Sequence, residues 1–166
     1  MVNSKNRTNV REQVKSWLSR SFTIQDLPSD ERCEWAFQAA KEAEKVRVVV
    51  VRPRRENFLH LVSSVKLGAA HLDIIEKMDD TERERLIWGL RFELLRHALE
   101  FTRIDYPFDV IELRQTIYDD GLTQDAFFDR LRGLLRGLAV IHWSAARLGK
   151  GTEPTDPFDV ESYSVH

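Results

Sequence analysis

A chain of 166 residues, 42% hydrophobic and 31% charged with a net charge of −2, fits one soluble globular domain that can bury a core unaided. The near-neutral balance excludes a global pull toward nucleic acid or anionic membrane, so any such pull has to be local. Cys33 is the only cysteine, no run of 18 apolar residues appears, and the polar start MVNSKNRTNV lacks an apolar signal region; together these exclude an internal disulfide and a membrane span and point to the cytoplasm.

In chain order, Asn9 to Arg20 has Val10, Val14, Trp17 and Leu18 at helical spacing, with Asn9 and Glu12 resembling a capping box. SFTIQDLPSD reads as a short strand or extended link that breaks at Pro28. Cys33, Trp35, Phe37 and Ala39 alternate with polar neighbours, the pattern of a strand with one wet face. Val46 to Val51 is apolar at nearly every position and predicts a central strand covered on both faces. Pro53 marks a turn, and Phe58 to Leu67 returns as an antiparallel strand. Ala69 to Met78 is a brief helix. Thr81 to about Phe101 is a long one, capped by Asp79 or Asp80 and apolar over more than half its circumference, as for a helix packed on two sides. A fourth strand region runs through YPFDVIELRQTIYDDG. Thr123 then caps a last helix whose stripe of Phe127, Leu131, Leu134, Leu138, Ile141 and Ala145 faces the sheet and which Gly149 ends. The order α-β-β-β-α-α-β-α, with one further short strand early, predicts an α+β fold in which helices pack on an antiparallel sheet. Residues 1–150 form the expected single domain. Residues 151–166, with two prolines and four acids, read as a disordered acidic tail.

That order, together with LVSSVKLGAAHLDIIEKM, the long helix and TIYDDGLTQDAFFDRLRGLL, resembles an uncharacterised archaeal family with a type III secretion chaperone-like fold. The resemblance covers residues 9–149, and its most specific piece is the turn from Tyr118 to Thr123. It implies a compact α+β layer, often dimeric, in a superfamily whose better-known members bind other polypeptides. It carries no catalytic residues with it.

No catalytic, cofactor-binding or metal-binding signature stands out: there is no phosphate loop, nucleophile elbow, HExxH or CxxC. His60 and His97 lie on apolar faces and read as hydrogen-bonded core histidines rather than ligands or bases. Cys33 reads as a small hydrophobe. Asp119 and Asp120 suit the turn before a helix N-terminus better than a metal pair, which would need more carboxylates. Between Lys45 and Lys66 six basic residues face one acid, Glu56, leaving 6 − 1 = +5. Arg52, Arg54 and Arg55 at this hairpin could grip phosphates, but with Phe58 alone nearby base stacking is thin, and arginines beside VVVV read better as guards against aggregation. On the last helix Gly133, Gly137 and Val140 fall on the side turned away from the stripe, with Trp143 at its margin. They read either as glycines tolerated on a free face or as a groove for a second helix, from the long helix or a partner subunit. Trp88 and Phe92 on the long helix complete the candidate interface. These features favour a dimeric, non-enzymatic protein that engages another polypeptide. Nucleic-acid binding through residues 45–66 is the alternative, and an enzyme of unrecognised type is a third. No cofactor or membrane partner is expected.

Overall fold

In a computed structural model, which describes residues 4–29, 31–102 and 104–148, the elements run α1 (Ser4–Leu18), β1 (Thr23–Leu27), β2 (Cys33–Lys41), β3 (Val46–Pro53), β4 (Phe58–Lys66), α2 (Ala69–Lys77), α3 (Asp80–Arg96), β5 (Glu100–Thr102), β6 (Val110–Tyr118) and α4 (Gln124–Leu148). The fold is α+β, with strands in the order β1-β2-β3-β4-β6-β5. The β1–β2, β2–β3, β3–β4 and β5–β6 pairs are antiparallel. Gly149 and the acidic segment 151–166 lie outside the described residues.

The described residues divide into two compact units, one formed by the chain up to Val62 with Thr116–Leu131 and the other by Ser63–Gln115 with the chain from Arg132 to Leu148. In the first, strand alternation sorts side chains between two faces. Val48, Val50 and Arg52 point to the side of Phe37 and Leu61 and are buried, whereas Val49 and Val51 on the other side are only half-buried. The central strand is therefore buried more deeply on one face than on the other, where Val51 is half-buried although its neighbour Ala36 is buried. Its apolar run satisfies the β-branched preference of a strand without implying a second layer. On the covered side α1 buries Val14 and Leu18, and Lys15 reaches over the Phe37 ring. Asp26 of β1 receives Arg11 at 2.7 Å and Lys15 at 2.6 Å. The hydrogen bond from Lys15, followed by Arg11, holds the Asp26 carboxyl below its ordinary value. Helix α1 starts at Ser4, so Asn9 lies inside it and does not cap it.

In the second unit α3 starts as its sequence predicts. The Asp79 carboxylate accepts from the Glu82 amide at 2.8 Å, and the Glu82 side chain accepts in return from the Asp79 amide. The helix ends five residues before Phe101. His97 closes it, Ala98 takes a left-handed φ of 51°, and Glu100–Thr102 pairs with β6 as a short edge strand. Helical periodicity continued past Arg96, but pairing with Glu112–Arg114 took the last residues of the pattern. At the start of α4 the Thr123 hydroxyl accepts from the Ala126 amide at 3.2 Å, as an N-cap does.

Candidate binding surfaces

Three places hold the residues singled out by the sequence. The first is the β3–β4 hairpin, within the first unit. Arg52 is 1% exposed, so it is not part of the hairpin's solvent-facing tip. Its guanidinium pairs with both carboxylate oxygens of Asp119, Nη2 donating to Oδ2 at 2.7 Å and Nη1 to Oδ1. The Asp119 amide donates to the Asn57 carbonyl at 2.8 Å, so the turn before α4 is tied to the hairpin by backbone and by charge. A two-point arginine–carboxylate pair of this kind orients as well as attracts. It withdraws Arg52 from any phosphate-binding role and commits Asp119 to a structural partner. Arg54 and Arg55 are exposed, and Arg55 sits in the left-handed region at φ 69°. The signal that places Arg52 inside is its parity with Val48 and Val50.

His60, expected in the core, lies instead on the half-buried face of its strand, while Leu59 and Leu61 take the buried one. Its Nδ1 is 3.1 Å from the Thr116 hydroxyl, and its ring centroid is 4.8 Å from that of Phe58. Among the described residues no group of three or more His, Cys, Asp or Glu side chains converges as a metal-ligand set.

The second place is the Gly133–Gly137 side of α4, within the second unit. Of the two readings the sequence left open, a free glycine face and a groove that the long helix approaches, the contacts favour the second at Gly137. Gly137 is buried, and a Cβ there would lie 2.9 Å from Leu113 Cδ1, 3.5 Å from Leu94 Cδ2 and closer still to Leu99 Cδ1. At Gly133 a Cβ would lie 3.4 Å from Gln115 Nε2, which donates to the Ala98 carbonyl at 3.1 Å. The buried arc of α4 is thus rotated toward the glycines, away from Leu138 and Ala145, which are half-buried. Leucines of α3, of β6 and of the turn between α3 and β5 fill the space that the missing side chain leaves. Val140 is half-buried, and Trp143 is 66% exposed.

The third place is the outer face of α3. Ile87, Leu90 and Leu94 are buried and seat the helix, while Trp88, Phe92 and Leu95 are 50%, 58% and 58% exposed. These three stand at i, i+4 and i+7 and make one stripe. The Trp88 and Phe92 ring centroids are 5.8 Å apart. Arg91 lies over the Trp88 ring at 4.8 Å and is itself fixed by donation to the Ile104 carbonyl at 2.8 Å and to Asp105. Leu95 was missing from the sequence-derived candidates, although its i+7 spacing from Trp88 could have supplied it.

Residues 10–144 match an uncharacterized conserved protein family, DUF2299. The chain belongs to that family. Among solved structures it is similar to an uncharacterized protein from Methanothermobacter thermautotrophicus, with a TM-score of 0.74 at 21% identity over 84% of this chain and 99% of that one. It is also similar to a chain of the ExsC–ExsE complex, with a TM-score of 0.53 at 20% identity over 82% of this chain and 92% of that one. No curated protein matches. The resemblance read from the sequence, to an uncharacterised archaeal family with a type III secretion chaperone-like fold, therefore holds at the level of fold.

Proposed function

We propose that this protein is a cytoplasmic, non-enzymatic binding protein that engages another polypeptide through the outer face of α3. The observation that carries the reading is the exposed Trp88–Phe92–Leu95 stripe on a helix already seated by its opposite side. Stability gives no reason to leave two large aromatics and a leucine in water, whereas contiguous exposed apolar surface is what a partner covers. Tryptophan is over-represented among residues that dominate binding energy, and i, i+4, i+7 anchors suit recognition between a helix and an apolar segment. The fold adds support, since one protein that shares it was solved in a complex. Capture from native lysate, with mass-spectrometric identification, tests the reading. Polypeptides retained by the wild-type chain should be lost with Trp88→Ser/Phe92→Ser and kept with Arg54→Ser/Arg55→Ser.

Self-association is a second reading, favoured by Trp143, which is two-thirds exposed on α4. Sedimentation of Trp143→Ser against wild type tests it, with a halved mass expected. The nucleic-acid reading loses Arg52 to Asp119 and keeps Arg54 and Arg55 as its exposed tip. Salt-dependent retention on immobilised polynucleotide would restore it.

A further inference from the structure

We propose that the outer face of α3 takes an amphipathic helix of a partner polypeptide, laid along Trp88, Phe92 and Leu95 with its backbone close against Gly89. The inference rests on the reading of that stripe as a polypeptide-binding surface and names the form of its occupant. Three observations within α3 lead there.

The first is Gly89. It stands in the middle of the 17-residue helix and is exposed. Glycine inside a helix gives up stability that alanine would supply. At Gly137 the reason is visible, because a Cβ there would press into leucines. At Gly89 a Cβ would meet nothing within 4 Å, so no contact among the described residues calls for glycine. At about 100° per residue Gly89 lies about 60° round the helix from Phe92, on the border of the stripe. The missing side chain opens a notch beside Phe92 where the backbone of another chain can come close.

The second is hydrogen bonding. A backbone that approaches the middle of α3 side-on meets donors and acceptors already paired within the helix. An extended peptide gains ladder bonds only along a sheet edge, and this face has none. A segment pressed against Gly89 therefore has to pair its own backbone groups, as a helix does. The stripe has the matching form. Its steps of four and three residues, from Trp88 through Phe92 to Leu95, make a seam of the kind that packs against a second helix at a shallow angle. A glycine on its border lets the two axes close to about 8 Å.

The third is size and charge. About half exposed, the three side chains offer on the order of 300 Å². Each partner in a standard interface buries roughly 800 Å², so the stripe suits a few turns of one helix better than a second folded subunit. Arg91 is already paired with Asp105 and Arg96 with Glu93. The contact is therefore apolar, made by aliphatic residues along the partner's seam, and depends little on salt.

The test uses the full chain and its Gly89→Ala and Gly89→Leu variants. The probe is the shortest retained segment of a polypeptide that the wild type captures from native lysate and that Trp88→Ser/Phe92→Ser fails to hold. Both glycine variants should melt about 3 °C higher, since helix propensity rises and nothing is displaced. Gly89→Leu should nevertheless bind the probe at least tenfold more weakly, with Gly89→Ala in between. The probe should gain helical circular dichroism on binding the wild type, and added salt should change its affinity by less than about twofold. A Gly89→Leu affinity within twofold of the wild type, or a probe that stays non-helical when bound, would overturn the helix docking and leave the binding surface standing. A lowered melting temperature for Gly89→Ala would give the glycine a role inside the fold and overturn the docking too. Capture that is absent, or that Trp88→Ser/Phe92→Ser leaves intact, would overturn both readings. A wild-type dimer that Gly89→Leu turns into a monomer would give the face to a second copy and overturn the partner helix.

Discussion

The end of β3 and the outer face of α3 invert the usual sorting of residues between core and surface. Arg52 is a charged side chain almost wholly buried, whereas Trp88 is a large aromatic left half exposed. In each case the presence or absence of a partner accounts for the outcome. Arg52 can leave water because Asp119 meets both ends of its guanidinium fork, so attraction and hydrogen bonding offset the cost of desolvation. On α3 the inner face of Ile87, Leu90 and Leu94 already seats the helix, and the described chain supplies nothing that buries the outer stripe. Polarity alone predicts neither placement.

The contrast can be broken or sharpened by substitution. The largest effect is expected at the seat of α3. Gly137→Leu adds four carbons where Leu94, Leu99 and Leu113 already fill the space. It should cost about 3 kcal/mol despite a gain in helix propensity of about 1 kcal/mol. Thermal denaturation measures it, and an equal or raised melting temperature would mean that the glycine face is free after all.

Next is Asp119→Ala. Loss of its partner strands the Arg52 guanidinium, whose Nε already has no hydrogen-bond partner. Breaking a buried pair costs about 3–5 kcal/mol, and since Asp119 is itself about one-third exposed, about 2 kcal/mol is expected. Adding Arg52→Met should recover part of that loss, because the stranded charge goes with it. Urea unfolding of the two variants checks both signs.

A smaller effect comes from acid. Burial first, and the neighbouring His71 second, hold His142 below its ordinary value of 6.5. The unfolded chain therefore binds more protons at this site than the folded one, and stability is lost as pH falls from 6.5 toward the depressed value. His142→Gln should flatten that part of a melting-temperature profile.

The smallest change in stability belongs to the stripe. Trp88→Ser/Phe92→Ser should shift unfolding by no more than about 1 kcal/mol, because partly exposed side chains give up little on truncation.

Much of this was legible in the sequence. Alternation in Phe58–Leu67, the Asp79 and Thr123 caps and the two long helices follow from local patterns and were found from them, whereas Cys33–Ala39, expected to have one wet face, also buries Ala36 and Ala40. Where local pattern failed, a contact distant in sequence had decided the outcome. Helix α3 gave up its end to pairing with β6. Val46–Val51 looked doubly covered because a β-branched run suits a strand whether one or both faces are buried. Counting angles from Phe127 put Gly137 on the outside, because the pattern marks where side chains are large and not where the absence of one is needed. Arg52 was misplaced for a similar reason. Strand parity pointed inward, but only a partner 67 residues away made that placement tolerable.

The most direct test of the account is a binding titration on the outer face of α3. A polypeptide captured from native lysate is titrated against the wild-type chain, Trp88→Ser/Phe92→Ser and Arg54→Ser/Arg55→Ser. Affinity should fall at least tenfold for the α3 variant and stay within twofold for the hairpin variant. The reverse order, with the hairpin variant losing affinity and the α3 variant keeping it, would contradict the account.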